Sequence, residues 1–254
     1  MKDKPDVDVE LSRKRLAAEK GDAEAQYRLA AAYATGAGVA QDLSEALRWV
    51  RLAADQGLAE AQYRLGLMYA TADGVEQDLA EAVRWTRLAV DQGHADAQFN
   101  LGMFYAKAIG VPQDVEEAVR LFRLAADQGL AMAQFNLGAV YGLGEGVSQD
   151  LVEAMRWNRL AAEQGHAMAQ YVLAGAYATG EGAPKDLVEA IRWLRLAAEQ
   201  EEPGALMQLA DLYMRGDGVP KDIGEAIRLT RLAAKQGEPR AEELIQKLNK
   251  LTET

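Results

Sequence analysis

The chain has 254 residues, a formal net charge of −11 and no cysteine. Its acidity argues against nucleic acid as a partner, because binding to phosphates needs a basic surface. The missing cysteines exclude disulfides and thiolate metal sites, and no apolar run approaches the roughly 18 residues of a membrane-spanning helix.

The first twenty residues are predicted to form an N-terminal capping helix, with Leu11, Leu16 and Ala17 on its inner side. The opening segment lacks the apolar core of a signal peptide. The compartment is therefore left open: cytoplasmic as the chain stands, or periplasmic or secreted if a leader has been removed.

From residue 21 to residue 236 the sequence repeats every 36 residues without insertion or deletion. The six copies, called repeats one to six here, span residues 21–56, 57–92, 93–128, 129–164, 165–200 and 201–236. A fixed period of this size is typical of solenoid proteins, in which a single repeat cannot bury its own apolar surface. We therefore predict one cooperative domain covering residues 1–254.

Each repeat is predicted to hold two helices. The first, as in AEAQYRLGLMYA at residues 59–70, is rich in helix-favouring Ala, Leu and Gln, and a glycine turn follows it. The second begins after an Asp with a Glu three residues later, a spacing that fits a capping box in which the Glu accepts from the cap's own amide. These pairs are Asp42/Glu45, Asp78/Glu81, Asp114/Glu117, Asp150/Glu153, Asp186/Glu189 and Asp222/Glu225.

The second helix of each repeat is expected to end at a glycine in the left-handed conformation. Five junctions have it: Gly57, Gly93, Gly129, Gly165 and Gly237. Glu201 takes this place in the fifth repeat's junction, so a different turn is expected there.

Residues 237–254 are predicted to form a closing capping helix. The inward side chains would be Ala241, Ile245 and Leu248, and the outward ones Glu242, Lys247 and Lys250. Because solenoid ends expose apolar surface and need caps, two caps indicate a complete chain rather than a fragment.

The consensus AEAQYRLG..YA.G.GV.QD..EA.RW.RLAA.QG resembles the Sel1-like repeat, a longer relative of the tetratricopeptide repeat. This resemblance covers residues 15–250 and implies an all-α, right-handed α/α superhelical solenoid of six helix-turn-helix repeats with capping helices. It further implies a bacterial or eukaryotic adaptor or scaffold that binds a protein or peptide in a concave groove. An alternative that the family also suggests is a bacterial immunity protein that neutralises a secreted, type VI-like toxin.

Comparing the six repeats with one another separates constant from variable positions. On a helical wheel, repeat positions 4, 7, 11, 14 and 15 lie opposite the constant residues Ala61, Leu65 and Tyr69. In the tetratricopeptide architecture this arc lines the groove. The middle repeats carry Met and aromatic residues there, which suit an amphipathic helix or an extended apolar peptide. The candidate partner-binding residues are Tyr63, Leu67, Phe99, Met103, Lys107, Met132, Phe135, Leu143, Met168, Tyr171 and Met207.

The aromatic residues at position 7 have a second interpretation, because an aromatic stripe along a helix is often part of the packing. On that interpretation they lie between adjacent hairpins. Met132 and Met168 then become the stronger candidates, since they replace acids that earlier repeats carry at position 4.

The recurring arginines of the second helices are interpreted as ion-pair partners rather than as an anion-binding ladder. Arg48 follows Glu45 by three residues, and Arg51 precedes Asp55 by four. Pairs at these spacings contribute about 0.2–0.5 kcal/mol each.

Tryptophan alternates with leucine at one position, which indicates packing. His94 and His166 fall at a variable loop position and are expected to be exposed surface histidines without a metal. Because no G-x-S-x-G, P-loop or H-E-x-x-H motif occurs, we predict a non-enzymatic protein without cofactor. Homo-oligomers through the caps or the groove stay open.

Overall fold

The computed structural model describes residues 15–252, with side chains as far as Leu248. Within this part of the chain all regular secondary structure is helical, as the repeat pattern predicts. Residues 15–19 are helical, and thirteen further helices follow them. None of the helices in the described part is long and apolar enough to cross a membrane.

The chain divides into two compact units, one up to Gln128 and one from Gly129 onward. The helices of the first unit are α1 Ala23–Thr35, α2 Leu43–Asp55, α3 Ala59–Thr71, α4 Leu79–Asp91, α5 Ala95–Lys107 and α6 Val115–Asp127. Those of the second are α7 Ala131–Leu143, α8 Leu151–Glu163, α9 Ala167–Thr179, α10 Leu187–Glu199, α11 Pro203–Arg215, α12 Ile223–Lys235 and α13 Ala241–Thr252. The prediction of a single cooperative domain stays a prediction.

Within each unit, every repeat forms a hairpin, and its second helix packs against the first helix of the next repeat. The small residue at repeat position 5 and the leucine at position 9 are buried, for example Ala61 and Leu65 in the first unit and Ala169 and Leu173 in the second. Tryptophans such as Trp85 and Trp193 belong to the cores, so their predicted packing role is confirmed.

The Asp caps of the second helices are confirmed, but the capping box is only half formed. The Asp78 carboxylate accepts from the backbone amides of Ala80 and Glu81, both at 3.0 Å. Its own amide donates to the Tyr69 carbonyl of the preceding helix (3.1 Å), so it has no need of the Glu. Glu81 instead accepts from Arg84 at 2.8 Å, and the predicted reciprocal bond was wrong.

The Glu81–Arg84 arrangement recurs along the chain and keeps the pKa of Glu81, Glu117, Glu153 and Glu225 below its ordinary value, chiefly through the arginine hydrogen bond. The second arginine behaves differently from expectation. Arg51, predicted to pair with Asp55, donates to the Tyr69 hydroxyl of the next repeat. These arginines therefore link successive hairpins rather than form an anion site.

Glu201 adopts the same turn as the glycines, contrary to expectation. Its φ is 58°, in the left-handed region. Its amide donates to Ala198 at 3.0 Å, as the amide of Gly165 does to Ala162. The backbone hydrogen bonds of the junction therefore outweigh the strain that a side chain brings there.

In the closing helix Ala241 and Leu248 are fully buried and Glu242 and Lys247 are exposed, as predicted, while Ile245, predicted to point inward, is only half-buried. Lys250 lies outside the residues whose side chains are described. At the other end Ala18 is buried and Leu16 is exposed, so the predicted inner position of Leu16 was wrong. Leu11 lies outside the described residues.

Candidate functional site

The outward surface of the first helices is called here the first-helix face, made up of repeat positions 4, 7, 8, 11 and 15. In the first unit its exposed side chains are polar and pair with one another. Glu24 lies 3.5 Å from Arg28 in α1, and Arg64 of α3 lies 2.9 Å from Asp73. Glu24, Arg28 and Arg64 of this face therefore each have a partner of opposite charge.

In repeats four and five of the second unit the face carries no charge and exposes apolar side chains. Helices α7 and α9 contain no Asp, Glu, Lys or Arg in their sequences AMAQFNLGAVYGL and AMAQYVLAGAYAT. Leu143 is 69% exposed, Met132 48%, Met168 40% and Val172 39%. Within the described part of the chain, the first helices of the other repeats carry no exposed large apolar side chain. The concentration in repeats four and five is therefore particular to this segment.

The aromatic residues at position 7 are half-buried, and Tyr27, Phe135 and Tyr171 contact the start of the first helix in the next repeat. The Tyr27 hydroxyl donates to Glu60 at 3.2 Å, and burial together with the Glu60 charge raises the pKa of Tyr27 to about 12. The Phe135 ring stacks on His166 with centroids 4.6 Å apart. A Cβ on Gly204 would lie 2.7 Å from the Tyr171 ring. These rings thus pack between hairpins on one side and present the other side to the face.

His94 and His166 are helix caps, so their predicted role as exposed surface residues was wrong. Each Nδ1 accepts an amide at the first turn of its helix, from Ala97 and Ala169 respectively, both at 3.2 Å. Burial lowers the pKa of His166 below its ordinary value. The position tolerates Leu58 and Leu130 in other repeats because a helix start can remain without a side-chain cap.

The apolar candidate residues of the first unit are less exposed than Met132, Leu143 and Met168 of the second. Tyr63 accepts from Asn100 at 2.6 Å, Phe99 packs beside Phe122, and Leu67 and Met103 are half-buried; Lys107 is exposed at the end of α5. In the second unit Met207 is half-buried against the core. A single groove shared by the candidates of both units stays a prediction.

A cavity of about 500 Å³ lies between α7, α8 and α9, and sequence reasoning missed it. Phe135, Leu143 and Val172 line it together with small residues, and the side chain of Asn158 reaches it from α8. The corresponding space between repeats one and two measures only about 40 Å³. Asn158 is 4% exposed, and its Oδ1 has no hydrogen-bond partner.

The cavity is open because repeats four and five carry smaller residues than repeats one and two. Ala176 stands where the smaller space has Met68, and Gly142 where it has Ala34. A Cβ added to Gly175 would meet nothing within 4 Å. Reading these positions down the six repeats would have shown the loss of side-chain volume, although not the space that it leaves.

The described residues contain no group of three or more His, Asp or Glu placed to hold a metal ion.

The comparisons with known proteins fit this picture of a repeat scaffold. The Sel1 repeat family matches six times, at residues 23–58, 59–94, 95–130, 131–166, 167–202 and 203–238. The chain belongs to the Sel1 repeat family. The family's repeats begin two residues later than the 36-residue copies defined from the sequence.

Sel1 repeat proteins generally mediate protein–protein interactions and typically form non-enzymatic scaffolds. Two solved Sel1 structures are similar throughout most of this chain. A protective antigen of uropathogenic Escherichia coli strains with an SLR fold is 34% identical over 92% of this chain and 50% of its own, with a TM-score of 0.85. A Sel1 repeat protein from Oxalobacter formigenes is 32% identical over 89% of this chain and 99% of its own, with a TM-score of 0.80.

The chain spans about half the length of the Escherichia coli protein. An immunity protein from Pseudomonas aeruginosa is 23% identical over 74% of this chain and 72% of its own, with a TM-score of 0.50. That likeness shows the fold alone. No curated protein matches the chain.

Proposed function

We propose that this Sel1 repeat protein is a non-enzymatic scaffold that binds a polypeptide partner on the first-helix face of repeats four and five. One observation carries the proposal: two successive first helices, α7 and α9, lack charge and expose Met132, Leu143, Met168 and Val172. Contiguous exposed apolar surface marks interaction sites in proteins of this kind.

The composition of the surface fits a protein interface rather than a lipid or nucleic-acid surface. Interface cores are depleted in charge and enriched in methionine and aromatic residues. Methionine side chains adapt to irregular partner surfaces because they are unbranched and polarizable. Met132 and Met168 occupy the position that Glu24 and Glu60 hold in repeats one and two, so the change from acid to methionine alters the surface without altering the helix.

The candidates of the first unit extend the proposal. Tyr63, Leu67, Phe99 and Met103 are half-buried on the same face of their own unit, and Lys107 provides a charge there. We expect them to contribute less to affinity than the second unit's residues, because they expose less surface for a partner to cover.

The double substitution Met132→Glu and Met168→Glu tests the proposal. Glutamate is compatible with the fold at this repeat position, so the circular dichroism spectrum should be unchanged. The partner is first captured from the native host and identified, then prepared pure. We expect its affinity to fall at least tenfold, since burying a carboxylate in an apolar contact is costly.

A matched control adds the same charge elsewhere. Ser44→Glu and Ala80→Glu lie at exposed positions of second helices, where repeat three already has Glu116. This control should bind the partner as the wild type does. Equal binding by the Met132/Met168 variant and the wild type would contradict the proposal, and an equal loss in both variants would point to net charge instead.

The alternative function, neutralisation of a secreted toxin, uses the same surface. The net charge of −11 favours a partner with a basic site. Co-expression with the product of a neighbouring gene tests it: protection should disappear in the Met132/Met168 variant if that product is the toxin. A second copy of the chain is another possible partner, and light scattering of the purified protein would then show a dimer that the same variant converts to a monomer.

A further inference from the structure

The cavity between repeats four and five has a counterpart between repeats one and two, where the chain fills the site with its own side chains. In repeat two Arg64 lies 2.9 Å from Asp73, and both residues line the smaller space of about 40 Å³. Met68 lines the same space and is 2% exposed. An ion pair and a buried apolar side chain therefore occupy this site in repeat two.

Repeat five keeps the acid of this arrangement and has lost its cation and its long apolar side chain. At positions 8, 12 and 17 repeat two has Arg64, Met68 and Asp73, and repeat five has Val172, Ala176 and Glu181. All three residues of repeat five line the cavity of about 500 Å³. The cavity is thus open at the place where repeat two has an arginine.

The Glu181 carboxylate has no cation beside it. Among the residues that the structure describes, no ion pair and no side-chain hydrogen bond includes this carboxylate, and Lys185, four residues later, does not pair with it. The flanking first helices α7 and α9 contain no Lys or Arg. Glu181 is exposed, so a cation that reaches the cavity from outside meets a carboxylate that the chain leaves unpaired.

The combination of an acid at position 17 with a small residue at position 12 is particular to repeat five. Repeats one and three have no acid at position 17. Repeats four and six have Glu145 and Asp217 there, but they keep the larger Val140 and Leu212 at position 12. An unpaired acid and an open cavity therefore coincide at one junction between repeats.

The cavity is continuous with the proposed partner surface, because Leu143 and Val172 both line the cavity and belong to the exposed first-helix face. The inference below therefore rests on the proposed function. A side chain that projects from a partner lying on this face would enter the cavity between these two residues.

We propose that the cavity receives an arginine side chain of the partner, whose guanidinium pairs with the Glu181 carboxylate as Arg64 pairs with Asp73 within repeat two. The methylene stem of arginine packs on apolar surface while its charged end stays at the exposed rim. A guanidinium fits a carboxylate through two parallel hydrogen bonds and is more weakly hydrated than an ammonium. The partner would thereby supply the cation that repeat five lacks.

Three small molecules with the same six-carbon chain test the site without the partner: hexylguanidinium, hexan-1-ol and hexanoate. Met155 lines the cavity, so its ¹³C-labelled methyl group reports binding by NMR. Hexylguanidinium should bind with a dissociation constant on the order of 1–10 mM. Hexan-1-ol should bind about two- to fivefold more weakly, as expected for loss of an exposed ion pair, and hexanoate more weakly still.

Two glutamine variants show which acid is responsible for the preference. Glu181→Gln should bind hexylguanidinium and hexan-1-ol equally. Glu145→Gln is the matched control, because it changes the net charge by the same amount and Glu145 does not line the cavity. This control should keep the wild-type preference for hexylguanidinium.

Two further variants copy repeat two into repeat five. Val172→Arg should lose the preference for hexylguanidinium, because the new guanidinium pairs with Glu181 from within the chain. Ala176→Met should weaken the binding of both hexylguanidinium and hexan-1-ol, because it narrows the cavity. Circular dichroism checks that both variants fold.

Three results would overturn the inference. The first is the absence of a saturable shift of Met155 with hexylguanidinium. The second is equal binding of hexylguanidinium and hexan-1-ol by the wild type, which would indicate an apolar side chain as the occupant. The third is a preference that survives Glu181→Gln or that disappears equally in Glu145→Gln.

The test is separable from that of the proposed function. Met132→Glu with Met168→Glu should still bind hexylguanidinium saturably, because neither methionine lines the cavity, although its affinity for the purified partner falls. Loss of partner binding in that variant, together with no preference for hexylguanidinium in the wild type, would contradict this inference alone.

Discussion

The cap at the start of α9 gives a sharp test of how successive repeats are joined. His166 Nδ1 accepts the Ala169 amide at 3.2 Å, and its ring stacks on Phe135 with centroids 4.6 Å apart. Losing a cap costs about 1 kcal/mol, and losing an aromatic pair costs about 0.5–1.5 kcal/mol. His166→Ala should therefore lower the free energy of unfolding by about 2 kcal/mol near pH 8, measured by urea denaturation.

Acidification should have a related effect on the wild type. Burial holds the pKa of His166 below its ordinary value, so the unfolded chain takes up the proton first. The histidine's stabilisation is then complete above the ordinary pKa and is lost as the pH falls through the lowered value of the folded state. A protonated Nδ1 can no longer accept the Ala169 amide.

His166→Asn is the control, because asparagine caps a helix without titrating. Between about pH 8 and about pH 5 it should lose less stability than the wild type does. The reasoning is refuted if the two proteins lose equal stability over this range, or if His166→Ala unfolds at the wild-type urea concentration.

Three further predictions concern stability and are measured by urea denaturation. Ala72→Gly and Ala108→Gly should each raise the free energy of unfolding by about 0.5–1 kcal/mol, because both alanines adopt positive φ and are exposed; a decrease would contradict this. Gln62→Ala should lower the free energy of unfolding by about 1–3 kcal/mol, since Gln92 donates to the Gln62 amide oxygen at 2.7 Å. An unchanged free energy of unfolding would show that water replaces this hydrogen bond. Leu173→Ala should lower the free energy of unfolding by about 2–5 kcal/mol, because Leu173 is fully buried. A decrease below about 1 kcal/mol would mean that the surrounding core collapses into the cavity left by the substitution.

The period and caps of the fold could be predicted because they are local and repeated six times. The Asp caps and the left-handed glycines follow from residue type alone. The hydrogen-bond partner of the Glu81 carboxylate could not be predicted. The Asp78 amide, its expected donor, bonds instead to the Tyr69 carbonyl of the preceding helix. The prediction of a different turn at Glu201 was wrong, because the backbone hydrogen bonds of the junction outweigh the strain of its positive φ.

Part of the candidate site could be predicted because the six repeats can be compared with one another. Met132 and Met168 stand out because repeats one to three have acids at their position, and the structure exposes both. Asn158 and Gly175 did not stand out, since a cavity depends on the combined volume of three helices. The stacking of Phe135 on His166 also required coordinates, because it joins a helix middle to the next helix start.

Methyl NMR on methionine-labelled protein tests the central claim most directly. The sequence has eight methionines, of which Met132 and Met168 are exposed on the first-helix face and Met68 is buried in the first unit. Saturation with the purified partner should shift the methyl signals of Met132 and Met168 and leave that of Met68 in place. Unchanged Met132 and Met168 signals in the saturated complex would show that the partner binds elsewhere.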